Sequence, residues 1–167
     1  MQMRDYFLNL ARYHVWATDK LLVQVNTMTE QHYREDCGLF FKSVHGTLNH
    51  LLVADHHWYA RFSEGVSLKL SLDHELEQDR EVLAQTLLTA TKRWGTWLAK
   101  MNENMQDEPL RYTRVSGAEV ISPYCPTLAH VFNHGTHHRG QITAILTARG
   151  YQSPEMDMIY MLLEESK

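Results

Sequence analysis

The stretch Pro126-Thr127-Leu128-Ala129-His130-Val131-Phe132-Asn133-His134-Gly135-Thr136-His137-His138-Arg139-Gly140-Gln141-Ile142-Thr143-Ala144-Ile145-Leu146 reads as one long helix. Its apolar residues Leu128, Val131, Phe132, Ile142, Ile145 and Leu146 recur at the spacing that stacks side chains on one helical face. Pro126-Thr127 opens the helix, and Gly150 supplies a left-handed stop. Four histidines ride on it, and a turn of about 100° per residue sorts them into two groups. His134 and His138 share a sector with Val131, Gln141 and Ile145, facing the interior of a bundle or its edge. His130 and His137 lie further round, toward solvent.

The segments on either side follow the same logic. Before this helix, Tyr112-Thr113-Arg114-Val115, Ser116-Gly117 and Val120-Ile121 predict a short β-hairpin. After it, Ser153-Pro154-Glu155 starts a brief final helix. Residues 3–28 carry Tyr6, Phe7, Leu10, Tyr13, Val15, Trp16, Leu21, Leu22 and Val25 at helical spacing without Gly or Pro, which makes them the first helix. The mixed polar residues 29–41, with Gly38, read as a connection outside the core. Ser43 caps a second helix that runs through Leu48, Leu51, Leu52, Trp58, Tyr59 and Phe62 to Gly65. A third runs from Leu72, after Ser71, to Met105, with Leu76, Leu83, Leu87, Leu88, Trp94, Leu98 and Met101 as its inner stripe. Four long amphipathic helices with one interrupting hairpin give an all-α fold, a four-helix bundle, in a single domain over residues 1–167.

Composition narrows the function classes. The net charge is -4 and Lys and Arg are scattered singly, which argues against nucleic acid as a partner. Met1-Gln2-Met3-Arg4-Asp5 places charge where a signal peptide needs an apolar stretch. No apolar run approaches the roughly 20 residues of a membrane span. The sequence therefore reads as that of a soluble cytoplasmic protein. Cys37 and Cys125 lack any Cys-x-x-Cys spacing and read as free thiols. Histidine is the abnormal residue: 11 of 167 residues, about three times ordinary usage, all internal and none in a tag-like run.

His134 and His138 form an i, i+4 pair whose imidazoles sit one turn apart, the spacing that lets two rings reach one metal ion. Such a pair alone is often no more than two solvated side chains, and two ligands bind weakly. A third must come from another helix, and the second helix offers His45, His50, His56 and His57. His50 shares a sector with Thr47, Leu51, Ala54 and Trp58, where Thr47 and Ala54 leave room beside it. His57 lies only slightly outside that sector, so phase separates the two weakly. Asp55 and Arg139, ionisable on inner faces, read as ion-pairing residues or as groups that orient an imidazole. Gln141 shares the sector of the histidine pair and is a further candidate to support it. Trp16, Trp58 and Tyr124 are candidate pocket aromatics.

Thr47-Leu48-x-His50-Leu51-Leu52-x-Ala54-Asp55-x-x-Trp58 and His134-x-x-x-His138-Arg139-Gly140-Gln141 resemble the DinB-like family of metal-binding four-helix bundles. Tyr13-His14-Val15-Trp16-Ala17 is similar to that family's first-helix motif, with His14 where Asn is common. The resemblance covers nearly the whole chain. It implies that His50, His134 and His138 ligate one divalent metal ion, zinc or nickel, and that the chain forms a homodimer. Some relatives are thiol-dependent transferases or isomerases using bacillithiol, mycothiol or glutathione, so membership implies a site more firmly than a reaction.

Three neutral imidazoles leave a divalent ion its full charge and an open position, the arrangement of a catalytic metal. A water or a low-molecular-weight thiol at that position becomes a nucleophile near neutral pH. The expected function is a metal-dependent enzyme, a thiol transferase or hydrolase, acting on a small electrophilic substrate. The alternatives are a metal- or ligand-binding stress-response protein without turnover, and a structural metal with a fourth ligand from Asp55 or another histidine.

Overall fold

The computed structural model describes residues 2–101 and 108–166. Its elements in chain order are α1 (Met3–Val25), α2 (Glu30–Arg34), α3 (Val44–Ser63), α4 (Arg80–Lys100), β1 (Leu110–Thr113), β2 (Glu119–Ser122), α5 (Tyr124–Ala148) and α6 (Met158–Glu165). The four long helices pack in a ring: α1 and α3 each lie against both α4 and α5, so α1 sits diagonally across from α3.

The apolar stripes meet in two clusters. One joins Leu21, Leu22 and Val25 of α1 to Leu48 and Leu52 of α3, Leu83 and Leu87 of α4, and Ile142 and Leu146 of α5. The other joins Phe7 and Ala11 to Phe62, to Trp94 and Leu98, and to Leu128, Val131 and Phe132. The early part of α1 therefore meets the late parts of α3 and α4 and the early part of α5. It follows that α1 and α5 run one way and α3 and α4 the other. Because α3 and α4 are parallel neighbours, residues 64–79 must return the full length of the bundle between them.

That return explains where the third helix departs from expectation. Leu72 and Leu76 have helical spacing, yet the helix begins only at Arg80, with Asp79 Oδ1 accepting from the backbone N–H groups of Glu81 and Val82 at 2.9 Å each. Side chains of α3 hold the preceding segment along its length. His57 Nε2 donates to the Leu70 carbonyl at 2.8 Å, His50 Nδ1 to the Leu72 carbonyl at 2.8 Å, and Asn49 brackets Glu77, donating to its carbonyl and accepting from its N–H at 3.0 Å each. Leu72 itself is 51% exposed. The far end of the helix is Lys100; the expected extension to Met105 lies outside the described residues.

Other boundaries shift less. The first helix stops at Val25, three residues before the expected Met28, because Thr29 caps a short helix whose Tyr33 is fully buried. The 29–41 connection thus contributes to the core. The hairpin forms with Leu110 opposite Ser122 and Thr113 opposite Glu119. The fourth long helix starts at Tyr124, two residues before Pro126, since proline is tolerated in a first turn whose N–H groups lack partners. It ends at Ala148, with Gly150 N–H donating to Thr147 and Tyr151 N–H to Leu146. The last helix begins at Met158, after Asp157 rather than Ser153. Both cysteines are free thiols. Among the described residues no helix is long and apolar enough to cross a membrane.

Between the two apolar clusters lies a level of buried polar side chains: His14 and Thr18 of α1, Asp55 of α3, and Arg139 of α5. Arg139 donates through Nη1 to His14 Nδ1 at 2.9 Å and to Thr18 Oγ1 at 3.4 Å, and through Nη2 to Thr136 Oγ1 at 3.1 Å. Gly135 lets α5 approach α1 here, for a Cβ on it would stand 2.6 Å from His14 Cε1 and 2.9 Å from Arg139 Nη1. Gly135→Ala is expected to destabilise the bundle by about 1–3 kcal/mol through overpacking, despite alanine's better helix propensity. Gly140→Ala, on the same helix with nothing within 4 Å of its Cβ, should instead stabilise it by up to about 1 kcal/mol. Urea unfolding of both variants beside the parent checks the pair; a stabilised Gly135→Ala would contradict the packing.

Candidate metal centre

Helical phase brings three histidines to one point. His134 and His138, one turn apart on α5, face His50 of α3 across the antiparallel α3–α5 contact. His134 Nε2 lies 3.2 Å from His50 Nε2 and 3.1 Å from His138 Nε2, and one ligand atom from each of the three residues falls within 4.8 Å of the others. His57, which phase left nearly level with His50, instead turns its ring to the Leu70 carbonyl. His130 and His137 are exposed on α5, as their phase requires.

Each ring is set by its other nitrogen. His50 Nδ1–H donates to the Leu72 carbonyl, and Phe41 stacks on the ring at 3.7 Å with planes 14° apart. His138 Nδ1–H donates to Gln141 Oε1 at 2.7 Å. Both tautomers leave the Nε2 lone pair facing the shared point. Burial first, and then the neighbouring imidazoles, lower His134 to about 3 and His138 to about 4, and burial also lowers His50. All three rings are therefore neutral near pH 7 (His134 and His138 by a wide margin), which is the form that ligates a metal.

Converging lone pairs repel unless something positive lies between them. Nitrogens about 2.0–2.1 Å from one ion at tetrahedral angles stand roughly 3.3 Å apart, close to the 3.1 and 3.2 Å seen here. The donor set thus fits a divalent ion, and imidazole suits zinc, nickel, copper and iron alike. A cavity of about 770 Å³ opens beside the cluster, with His50 and His134 in its wall.

The remaining expected site residues divide. Gln141 braces His138 directly. Asp55 touches none of the three histidines: Oδ1 accepts from Arg93 Nη2 and Oδ2 from Trp94 Nε1, both at 2.8 Å. Arg139 hydrogen-bonds His14, Thr18 and Thr136 and none of the three histidines. Trp58 lines the cavity, 5.3 Å from the ring of His130. Tyr124 is buried against Phe62 in the apolar core, and Trp16 donates to Glu164 of α6; neither lines the cavity. Sequence reasoning passed over Phe41 and the Leu72 carbonyl, because a loop side chain and a backbone oxygen leave no periodic signal.

Since Gln141 fixes the tautomer and angle of His138, Gln141→Leu is expected to weaken zinc binding by about 10–100-fold. Competition with a chelating dye measures this, and an unchanged affinity would show that the hydrogen bond does not support the site.

Comparison with known proteins agrees with the architecture. The sequence pattern of the DinB family matches residues 1–166. Protein DinB of Bacillus subtilis (strain 168) is 27% identical over 172 residues, covering 99% of this chain and 99% of that protein. The match runs through every helix of the bundle, the hairpin and the three clustered histidines, and the chain belongs to the DinB family.

Proposed function

We propose that His50, His134 and His138 hold one divalent metal ion, zinc or nickel, and that the protein is a metal-dependent enzyme activating a thiol or water against a small electrophile. The observation that carries this reading is the position of the cluster in a cavity wall. An ion held there by three side chains keeps a side open to a small molecule, whereas a purely structural site would be closed by a fourth ligand. When bound, such an ion supplies Lewis acidity that lowers the pKa of a thiol or water beside it.

A thiol fits better than water. Asp55 is engaged by α4, and among the described residues no carboxylate lines the cavity, so no acidic side chain stands ready to take a proton from water. A thiol needs less help, because its ordinary pKa of about 8.5 is already near neutral. In the transfer, the sulfur forms a bond to an electrophilic carbon while that carbon's bond to chloride or to an epoxide oxygen breaks. The thiol proton passes to solvent, and in the epoxide case the opened oxygen takes up a proton. Trp58 and Tyr112 supply apolar surface for the electrophile. A low-molecular-weight thiol is the proposed cosubstrate, and the homodimer belongs to the same reading, with exposed Ile159 and Leu163 of α6 as apolar surface for it.

The missing carboxylate also favours a second reading, a binding protein that holds a ligand on the metal without turnover. Assay of chlorinated and epoxide electrophiles with several low-molecular-weight thiols separates the two. Turnover reduced by about 100-fold or more in His50→Ala, and restored to the chelated parent by zinc or nickel, is expected for the enzyme. Turnover indifferent to that substitution would sink the metal mechanism, and none with any pair would favour the binder. Chelation should leave the bundle folded, since two apolar clusters stabilise it independently of the ion; unfolding on chelation would indicate a structural metal.

A further inference from the structure

The cavity beside the histidine cluster continues along one face of α3, past Ala54, His57 and Trp58, to Arg61. Arg61 is only 8% exposed, and its guanidinium lies against two rings, 4.6 Å from the centre of Trp58 and 4.4 Å from that of Tyr112. Among the described residues no carboxylate answers it and it makes no hydrogen bond; its enclosed Nε has no partner. Arg93, by contrast, pairs with Asp55 and Arg149 with Glu35, while buried Arg139, also without a carboxylate among the described residues, donates its terminal nitrogens to His14, Thr18 and Thr136. Arg114, a second cation, stands in the same wall.

A buried cation without a counter-charge is costly, which points to a partner from outside the chain. The geometry says what kind. The two rings meet edge to face, 5.4 Å apart, and flank the guanidinium without offering it an acceptor, so its planar fork of N–H donors is left for a ligand and matches the two oxygens of a carboxylate. Leu72, Val115 and Pro126 make the space around it apolar. Along α3, Arg61 lies about 16 Å beyond His50 at 1.5 Å per residue, and its side chain tilts back toward the helix N-terminus and the histidines.

We propose that this end of the cavity binds the carboxylate of a small organic acid, with Arg61 as its principal cation and Arg114 at the rim. Resting on the function proposed above, the substrate or thiol cosubstrate of the histidine site then carries an acid group several bonds from its reacting atom.

Calorimetric titration of the full chain with hydrocinnamate and with its uncharged primary amide, as isolated and after chelation, tests the assignment. The acid should bind roughly tenfold or more tightly than the amide in both preparations, as expected for hydrogen bonds to a charged group. Arg61→Gln should abolish that preference, Arg61→Lys should keep part of it, and Arg114→Gln should reduce it by only about twofold, as a rim charge does. Equal affinity for acid and amide in the parent, an acid preference untouched in Arg61→Gln, or no binding of the acid by about 10 mM would each overturn the proposal. If Arg61→Gln does not fold, the acid–amide comparison in the parent and in Arg61→Lys still decides. Because the chelated protein is part of the test, a failure here leaves the metal reading standing, and an acid preference without turnover places the failure in the reaction.

Discussion

The structure depends on a level of buried polar side chains that divides its apolar core in two. Polar groups removed from water must find partners, and each unmatched one costs on the order of 1–3 kcal/mol. Asp55 meets this demand with Arg93 and Trp94, and Arg139 meets it through its two terminal nitrogens with His14, Thr18 and Thr136, its Nε alone staying without a partner among the described residues. These contacts tie α3 to α4 and α5 to α1, on opposite sides of the ring. With these two sides fixed, the α3–α5 face is left to bring His50 against His134 and His138. There the demand is met only in part from within: His50 and His138 each satisfy Nδ1, while their Nε2 atoms and that of His134 converge on one another. Two of the polar groups at this level find partners within the protein, and the third set, the converging imidazoles, could hold an ion.

Much of this was legible in the sequence because it depends on helical phase. The 3.6-residue repeat through Leu128, Val131, Ile142 and Leu146 fixed which side of α5 was inward, and so placed His134 and His138 correctly relative to His130 and His137. The hairpin followed from Ser116-Gly117 between two short β-prone runs. The resemblance selected His50 over His57 where phase alone hardly could. Periodicity failed where backbone groups are held by side chains from elsewhere: Leu72 and Leu76 repeat like a helix, but His50, Asn49 and His57 bind the chain around them in a non-helical return. Phase also says whether Asp55 is inward without saying which helix answers it, and the nearest claimants, Arg93 and Trp94, lie far along the chain.

The return segment links fold to site. Its Leu72 carbonyl sets the tautomer of His50, and its Leu72 side chain forms part of the cavity. The same run of α3 that presents His50 continues through Trp58 to Arg61, so one helix face carries both the histidine end and the cationic end of the cavity. The hairpin and the outer turns of α3 supply Tyr112 and Arg61, which meet at the end of the cavity away from the histidines.

The central claim is that the three histidines form a single metal site. Elemental mass spectrometry of tag-free protein, after reconstitution with zinc and gel filtration, tests it most directly when the parent is compared with folded His50→Ala, His134→Ala and His138→Ala variants. The account predicts about one ion per chain in the parent, as a single three-imidazole site requires, and a loss of that ion in each variant. An ion retained in all three variants, or absent from the reconstituted parent, would contradict it.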